Sequence, residues 1–209
     1  MEKRKQTAEI PKKVLLIYQA VPQMLKEGAD INTLKVSDIT DRAGIGKGTA
    51  YEYFSSKEEL ITRALLFHIE KKINDLESIA EEEISFPDKI RAILDYLEQN
   101  FDDNRVFCML VRIGTGSYEI SEQLKNEYRR IQENFDCHRM EHLIDRIMEQ
   151  GRQEEILAEK NEFLCRMAFT SQMMMFTASL LQQEKEAAAV PKTEELKTFV
   201  YHALVKSLN

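Results

Sequence analysis

The chain has 209 residues, 43% of them hydrophobic, which is enough for a real core in one large or two small domains and excludes disorder as its default state. Seven glycines, four prolines and the lack of alternating β-branched runs exclude a sheet-rich fold and predict an all-α protein of about nine long helices with few turns. The formal net charge of −7, taken as a single number, argues against a nucleic-acid partner.

Residues 1–8 are polar, with Lys3, Arg4 and Lys5 together, and read either as a frayed terminus or as a cationic arm. The first predicted helix runs from about Pro11 to Glu27, with Val14, Ile17, Tyr18, Val21 and Leu25 as its buried stripe and Gly28 ending it. Pro22 removes one backbone hydrogen bond and crowds the carbonyl of Tyr18, so a kink or a break is expected near Ala20 to Pro22. Val36, Ile39 and Ala43 then share one face of a short helix, because spacings of three and four residues return to the same side of a turn. Gly44 supplies the left-handed backbone that stops this helix and lets another, Lys47 to Phe54, begin at a steep angle. In that second helix Ala50 and Phe54 are spaced to face inward. Lys47, Thr49, Tyr51 and Tyr53 carry the cationic, hydroxyl and aromatic groups that bind phosphate oxygens and base edges. Two short helices so joined make a helix-turn-helix, and the Ser56-Lys57-Glu58-Glu59 capping box starts the next helix directly after them.

The stretch AGIGKGTAYEYFSSKEEL resembles the DNA-binding signature of the tetracycline-repressor (TetR) family of bacterial transcriptional regulators, with specific likeness from Lys12 to about Leu60. The resemblance implies that Lys47 and Gly48 approach base edges, that Thr49, Tyr51 and Tyr53 contact phosphates or thymine methyls, and that Lys57 binds phosphate. Lys35 and Ser37 would lie near the approaching phosphates or in a plain solvated loop. Two positions depart from the family pattern: Pro22, and Lys35 where a capping Thr is common, so a weaker cap is expected. Glu52 is either solvated or a specificity residue that accepts from cytosine N4. Charge distribution answers the overall acidity. Residues 1–72 hold 13 Lys and Arg against 10 Asp and Glu, while residues 73–209 hold 16 against 26, so a head of +3 sits on a body of −10.

Helix four, from Lys57 to about Glu82, is long enough to join the two parts and places His68 on its apolar face as a core histidine. Ser85 caps a fifth helix with Pro87 in its first turn and residues 88–101 as its body. A short sixth helix is expected over Arg105 to Ile113, followed by a Gly114–Ser117 loop. Helix seven, about Glu119 to Gly151, changes face. Ile120, Leu124, Tyr128 and Ile131 follow one stripe and Leu143, Ile144 and Ile147 another, so the two halves pack differently or the helix bends near Asp136 to Arg139. Helix eight, Asn161 to about Glu184, is apolar nearly all round, and Thr193 starts helix nine.

These last two helices predict a two-fold dimer through a four-helix bundle, as the family resemblance also implies, with Met174, Ala178, Leu181, Leu196, Phe199, Val200, Ala203 and Leu204 at its seam. Because helices six, seven and eight surround the family's ligand cavity, the candidate pocket residues are Phe107, Met109, Arg112, Tyr128, Phe135, His138, Phe169 and Met173. The division expected is residues 1–56 as a DNA-binding domain and 57–209 as a ligand-binding and dimerisation domain, with 57–82 as connector.

The leading function is a ligand-responsive DNA-binding regulator, a cytoplasmic homodimeric repressor that binds a palindromic operator and needs no cofactor or metal. A helical-bundle metalloenzyme is the alternative from the enzyme class, but its Glu-x-x-His pairs are missing, since Leu65, Phe135, Arg139 and Phe199 precede the four histidines by three. His138 and His142 are spaced for a metal but lack a third ligand, and a helical adaptor without DNA affinity leaves the head unexplained. Cys108, Cys137 and Cys165 are too scattered for a zinc site or a disulfide frame. The N-terminus lacks an apolar signal core, and Phe163 to Leu181 is interrupted by Arg166, Ser171 and Gln172, so a soluble protein is expected.

Overall fold

The computed structural model describes residues 10–101, 119–132, 138–185 and 190–209, and among these it holds nine α-helices and no strand. They are α1 Lys12–Lys26, α2 Val36–Ala43, α3 Lys47–Tyr53, α4 Lys57–Glu81, α5 Phe86–Gln99, α6 Glu122–Gln132, α7 Arg139–Gln153, α8 Glu162–Lys185 and α9 Thr193–Ser207. The expected helix over Arg105 to Ile113 and the Gly114–Ser117 loop lie outside the described residues, and so does the Lys3–Lys5 cluster. No described helix is long and apolar enough to cross a membrane. The chain divides into two compact units, one taking the chain up to Ile69 with Glu119–Asn134, the other Glu70–Tyr118 with Phe135–Asn209.

In the first unit the predicted stripe of α1 is largely inside, with Ile17 and Val21 fully buried. Their neighbour Tyr18 lies over Phe54 and Phe67, with ring centroids 6.1 and 5.1 Å away. The break considered at Pro22 does not occur. Pro22 stands inside an unbroken α1, four residues before its last, is itself buried, and the helix closes beyond it with the Glu27 amide on the Gln23 carbonyl at 3.1 Å. The proline removes its own amide from the ladder without ending the helix. Gly28 ends the segment with φ at +94°.

The second unit contains α5, α7, α8 and α9 with the later part of α4. Ser85 caps α5 as expected, its hydroxyl accepting from the Asp88 amide at 3.3 Å. The first amide of that helix, on Phe86, donates to the Glu154 carboxylate at 2.9 Å, which ties α5 to the end of α7. Phe86, Phe176, Leu94, Met148 and Leu204 form the centre of the core. Two buried ammonium groups brace it. Lys89 donates to the Ala80 carbonyl near the end of α4 at 2.7 Å, where the helix dipole favours a cation. Lys197 reaches Asp95 and Glu98 at 2.5 Å each and Glu194 at 3.1 Å.

Of the helix expected over Glu119 to Gly151, the described residues form α6 and α7, and residues 133–137 between them lie outside the described set. α6 belongs to the first unit and α7 to the second, and His138 stands at the N-cap of α7. The change of apolar face marked this division: Ile120 and Leu124 are buried in one unit, Leu143, Ile144 and Ile147 in the other.

Gly151 does not end α7 but lies within it, and the chain turns at Glu155, a non-glycine residue at φ +59°. A Cβ at position 151 would stand 2.7 Å from Leu157 Cδ1 and 3.0 Å from Phe86 Cδ2. Gly151→Ala should therefore lower stability by about 1–3 kcal/mol through overpacking, although Ala is the better helix former. Glu155→Gly relieves the left-handed strain and should raise stability by about 0.5–1 kcal/mol. Urea unfolding of both variants beside the parent protein checks the opposite signs.

Candidate nucleic-acid interface and ligand cavity

α3 turns only one of its own residues inward, Ala50, and Phe54 just beyond its end is 3% exposed. At 100° per residue, Gly48 and Glu52 project from the side opposite Ala50, with Lys47 and Tyr51 on one flank and Thr49 and Tyr53 on the other. Lys47, Gly48, Glu52 and both tyrosines are exposed, Tyr51 at 51% and Tyr53 at 40%, while Thr49 is half-buried. An exposed tyrosine on a helix facing water has no packing reason to be there. Among the described residues nothing lies within 4 Å of the place a Cβ on Gly48 would occupy, so their packing does not require a glycine.

Local chemistry holds this helix in place. Gly44 adopts φ +67° and ψ 33°, and its amide and that of Ile45 close α2 onto Asp41 and Thr40. After α3 the capping box forms. The Glu59 amide donates to Ser56 Oγ at 3.0 Å, and the Glu59 carboxylate accepts from the Ser55 amide at 2.8 Å and the Ser55 hydroxyl at 2.6 Å. Burial pushes the Glu59 pKa up, but the Ser55 donors and the Arg63 guanidinium at 2.8 Å outweigh it and bring it down to about 2.

The flanking residues are less free than those of α3. Lys35 is exposed at the N-cap of α2 and makes no side-chain cap, as the sequence predicts. Ser37 Oγ donates to Asp38 at 3.2 Å. Lys57 is half-buried, donating to the Asn32 carbonyl at 3.4 Å beside Glu58 at 3.7 Å. Asn32 escaped the sequence reading. Its side chain accepts from the Ser121 amide at 3.0 Å and donates to the Glu119 carbonyl at 3.1 Å, clamping the α1–α2 loop to the residues before α6. An Asp-x-Asn pair in a polar loop marks a turn, which is all that the sequence reveals of it.

In the second unit a cavity of about 90 Å3 lies between α4, α5, α7 and α8. Phe169 and Met173, expected in the pocket, line it together with Leu97, Ile144, Met174 and Thr177, and no described lining residue is charged. Phe107, Met109, Arg112 and Phe135 lie outside the described residues. Tyr128 is half-buried on α6 in the other unit, and His138 is exposed and does not line the cavity. The His138 and His142 rings stand 6.3 Å apart, and His138 Nδ1 lies 3.3 Å from Glu141. Among the described residues the one grouping with metal-ligand spacing is Asp95, Glu98 and Glu194, and its centre is taken by the Lys197 ammonium.

Of the expected dimer seam, Met174, Ala178 and Phe199 are exposed and Leu181, Leu196 and Ala203 half-buried. Val200 and Leu204 are corrected: they are 4% and 0% exposed, inside the chain's own core, because α9 turns that edge toward α5 and α8.

Residues 27–64 match the family described as bacterial regulatory proteins, tetR family. An HTH-type transcriptional regulator of Staphylococcus aureus is 34% identical over 109 residues, a match that takes in 48% of this chain and 57% of that protein. Among solved structures, the transcriptional regulator FadR of Bacillus subtilis in complex with stearoyl-CoA has a TM-score of 0.68 at 17% identity, over 93% of this chain and 99% of that one. The fatty acid degradation regulator FadR of Bacillus halodurans gives 0.70 at 16% identity over 97% and 99%, and reduced NemR of E. coli gives 0.64 at 18% over 94% and 96%. At these identities the solved structures establish the fold.

The Glu59 box makes head stability pH-dependent with a defined sign. A carboxyl held near 2 when folded and near 4.5 when unfolded adds stability that is complete above about 4.5 and disappears as the pH falls toward about 2. Glu59→Gln should cost about 2 kcal/mol at pH 7, and the gap from the parent should close over that acid range. Denaturant titrations at a series of pH values read the difference directly.

Proposed function

We propose that the chain is a member of the TetR family of bacterial regulatory proteins and a ligand-responsive DNA-binding transcriptional regulator, a repressor acting as a homodimer on a palindromic operator. The observation that carries this reading is the outer face of α3, where Gly48 leaves open space on the side opposite the buried Ala50. A glycine is a poor helix former, and where no neighbour in the chain requires it, a close approach by another molecule does. A duplex major groove fits: α3 enters it with Gly48 and Lys47 at the base edges, and Thr49, Tyr51 and Tyr53 rest on the phosphates and methyls at either side. Glu52, one turn beyond Gly48, points the same way and accepts from cytosine N4. Lys35, Ser37 and Lys57 contact the flanking backbone.

Two heads are needed because one is only weakly cationic, with the Arg42 guanidinium already engaged by Glu27 at 2.7 Å. Their recognition helices would lie roughly 34–36 Å apart, one turn of the duplex. The second copy docks on the exposed apolar residues of α8 and α9, among them Met174 and Phe199. The effector enters the α4–α5–α7–α8 cavity and favours one spacing of the heads through its differential affinity for the two states, with α4 as the continuous connection. Its walls suit a hydrocarbon group, which is the chemistry of the stearoyl chain bound by the B. subtilis structural relative.

Gly48→Ala separates DNA contact from folding. The variant should be as stable as the parent or up to about 1 kcal/mol more stable, since Ala favours helix and meets no neighbour. It should nevertheless bind the promoter of its own gene at least about tenfold more weakly, in a salt-sensitive fluorescence anisotropy titration, through loss of close approach. Unchanged DNA affinity would remove α3 from the interface.

A further inference from the structure

We propose that Asn32 makes the segment leading into α6 a working part of the DNA-binding head, so that the position of residues 119–132 and the affinity for DNA are coupled through its side chain. This rests on the DNA-binding reading above and adds a route to the one assigned there to α4. The chain passes from one unit to the other between Ile69 and Glu70, within α4. It passes again at each end of Glu119–Asn134, a segment that belongs to the unit of the head while its chain neighbours on both sides belong to the other unit. Ile120 and Leu124 fix the segment there by burial, at 8% and 3% exposure.

Asn32 meets this segment with both ends of one amide. Its Nδ2 donates to the Glu119 carbonyl at 3.1 Å, and its Oδ1 accepts from the Ser121 amide at 3.0 Å. Only a short side chain with a donor and an acceptor in one plane can satisfy both groups. Ser121 in turn accepts at its hydroxyl from the Leu124 amide at 3.3 Å, so the residue that Asn32 grips is the one that caps α6.

On the other side Asn32 is part of a rigid turn. Its own amide donates to Asp30 Oδ1 at 2.9 Å, and the Thr33 and Leu34 amides close on the Asp30 carbonyl at 3.0 and 3.1 Å. Ile31 and Leu34, 1% and 4% exposed, plug the turn into the core on either side of Asn32. α2 starts just beyond it, at Val36, and the Gly44 turn carries α2 into α3. The Asn32 carbonyl also accepts from Lys57 Nζ at 3.4 Å, at the start of α4. A displacement of Glu119 and Ser121 therefore reaches the recognition helix through α2 and a phosphate-binding lysine through one carbonyl. The clamp is exposed, so water replaces its two hydrogen bonds when it opens, and it can shift without unfolding the head. Because coupling between two sites is reciprocal, DNA on α3 must act on residues 119–132 as strongly as their movement acts on DNA affinity.

The test uses the full chain and a duplex carrying the promoter of its own gene, with hydrogen exchange read by mass spectrometry on peptides spanning residues 119–132. Saturating duplex should slow exchange there at least about threefold in the parent protein. Asn32→Ala should melt within about 4 °C of the parent and still bind the duplex when it is raised to saturation. In the bound variant the slowing should persist over α2 and α3 and vanish over residues 119–132. Asn32→Asp is the second variant. It keeps the size and the Ser121 bond but sets a carboxylate against the Glu119 carbonyl and beside the Asp30 carboxylate, which Asn32 Nδ2 now meets at 3.2 Å, so it should lose the slowing as well. Faster exchange in both variants with an undiminished slowing by DNA marks a purely structural bond and overturns the proposal. Exchange over residues 119–132 that does not respond to DNA in the parent overturns it too and leaves the DNA-binding reading standing. A parent chain that binds no duplex overturns that reading and the proposal with it.

Discussion

A helix of seven residues has too few internal hydrogen bonds to persist in water, yet the outer face of the head is built on one. α3 survives because its two ends are fixed by other means. Before it, Gly44 takes a backbone conformation that a side chain would strain, which sets the direction in which Lys47 begins. After it, Phe54 is driven into the core against Tyr18, and the Glu59 carboxylate gathers the Ser55 amide and hydroxyl. With the ends held from outside, α3 has to turn only Ala50 inward. The side chains on its outer face are consequently available for an external partner, and Gly48 can be kept in spite of its poor helix propensity.

The same logic explains which parts of the fold were legible in the sequence. Gly28, Gly44, Ser56 and Ser85 act within a turn of their own position, so their residue type and spacing announce what they do, and each stands where the spacing places it. Tertiary facts were not legible. Gly151 looks like a helix terminator until Leu157 and Phe86 are seen to occupy the space of its absent Cβ. Asn32 looks like any loop asparagine until Glu119 and Ser121 are placed beside it. Val200 and Leu204 share an apolar face with other residues of α9, but periodicity identifies an apolar face without naming what covers it. Pro22 predicts a kink or a break, yet α1 runs through it without a break, because tertiary burial of the proline outweighs one lost backbone bond.

The acidic body shows how charge is managed away from the head. Burial works against the Lys197 ammonium, but Asp95, Glu98 and Glu194 outweigh it and hold its pKa above the ordinary lysine value. Three carboxylates converging on one point would repel one another without that cation, so the grouping that resembles a metal site is a structural ion-pair cluster joining α5 and α9. Arg166 serves in a similar way between α7 and α8, with Asp145 at 2.5 Å and Glu141 at 3.2 Å.

Arg166 stands near the start of α8, and the charge-free length that follows, Met167 to Gln183, is left to hydrophobic packing. The helix is apolar nearly all round, and within the chain only part of that circumference is covered: Cys165, Phe169, Phe176 and Leu180 are buried, while Met167 and Met175 remain 52% and 62% exposed. A globular chain that leaves so much methionine and phenylalanine in water loses part of the hydrophobic stabilisation that burial would give, at about 25 cal/mol for each Å2. Such an exposed face marks a surface meant for covering. Thr170 and Met174 belong both to that exposed face and to the lining of the internal cavity, so the apolar character of α8 serves its inner and its outer side alike.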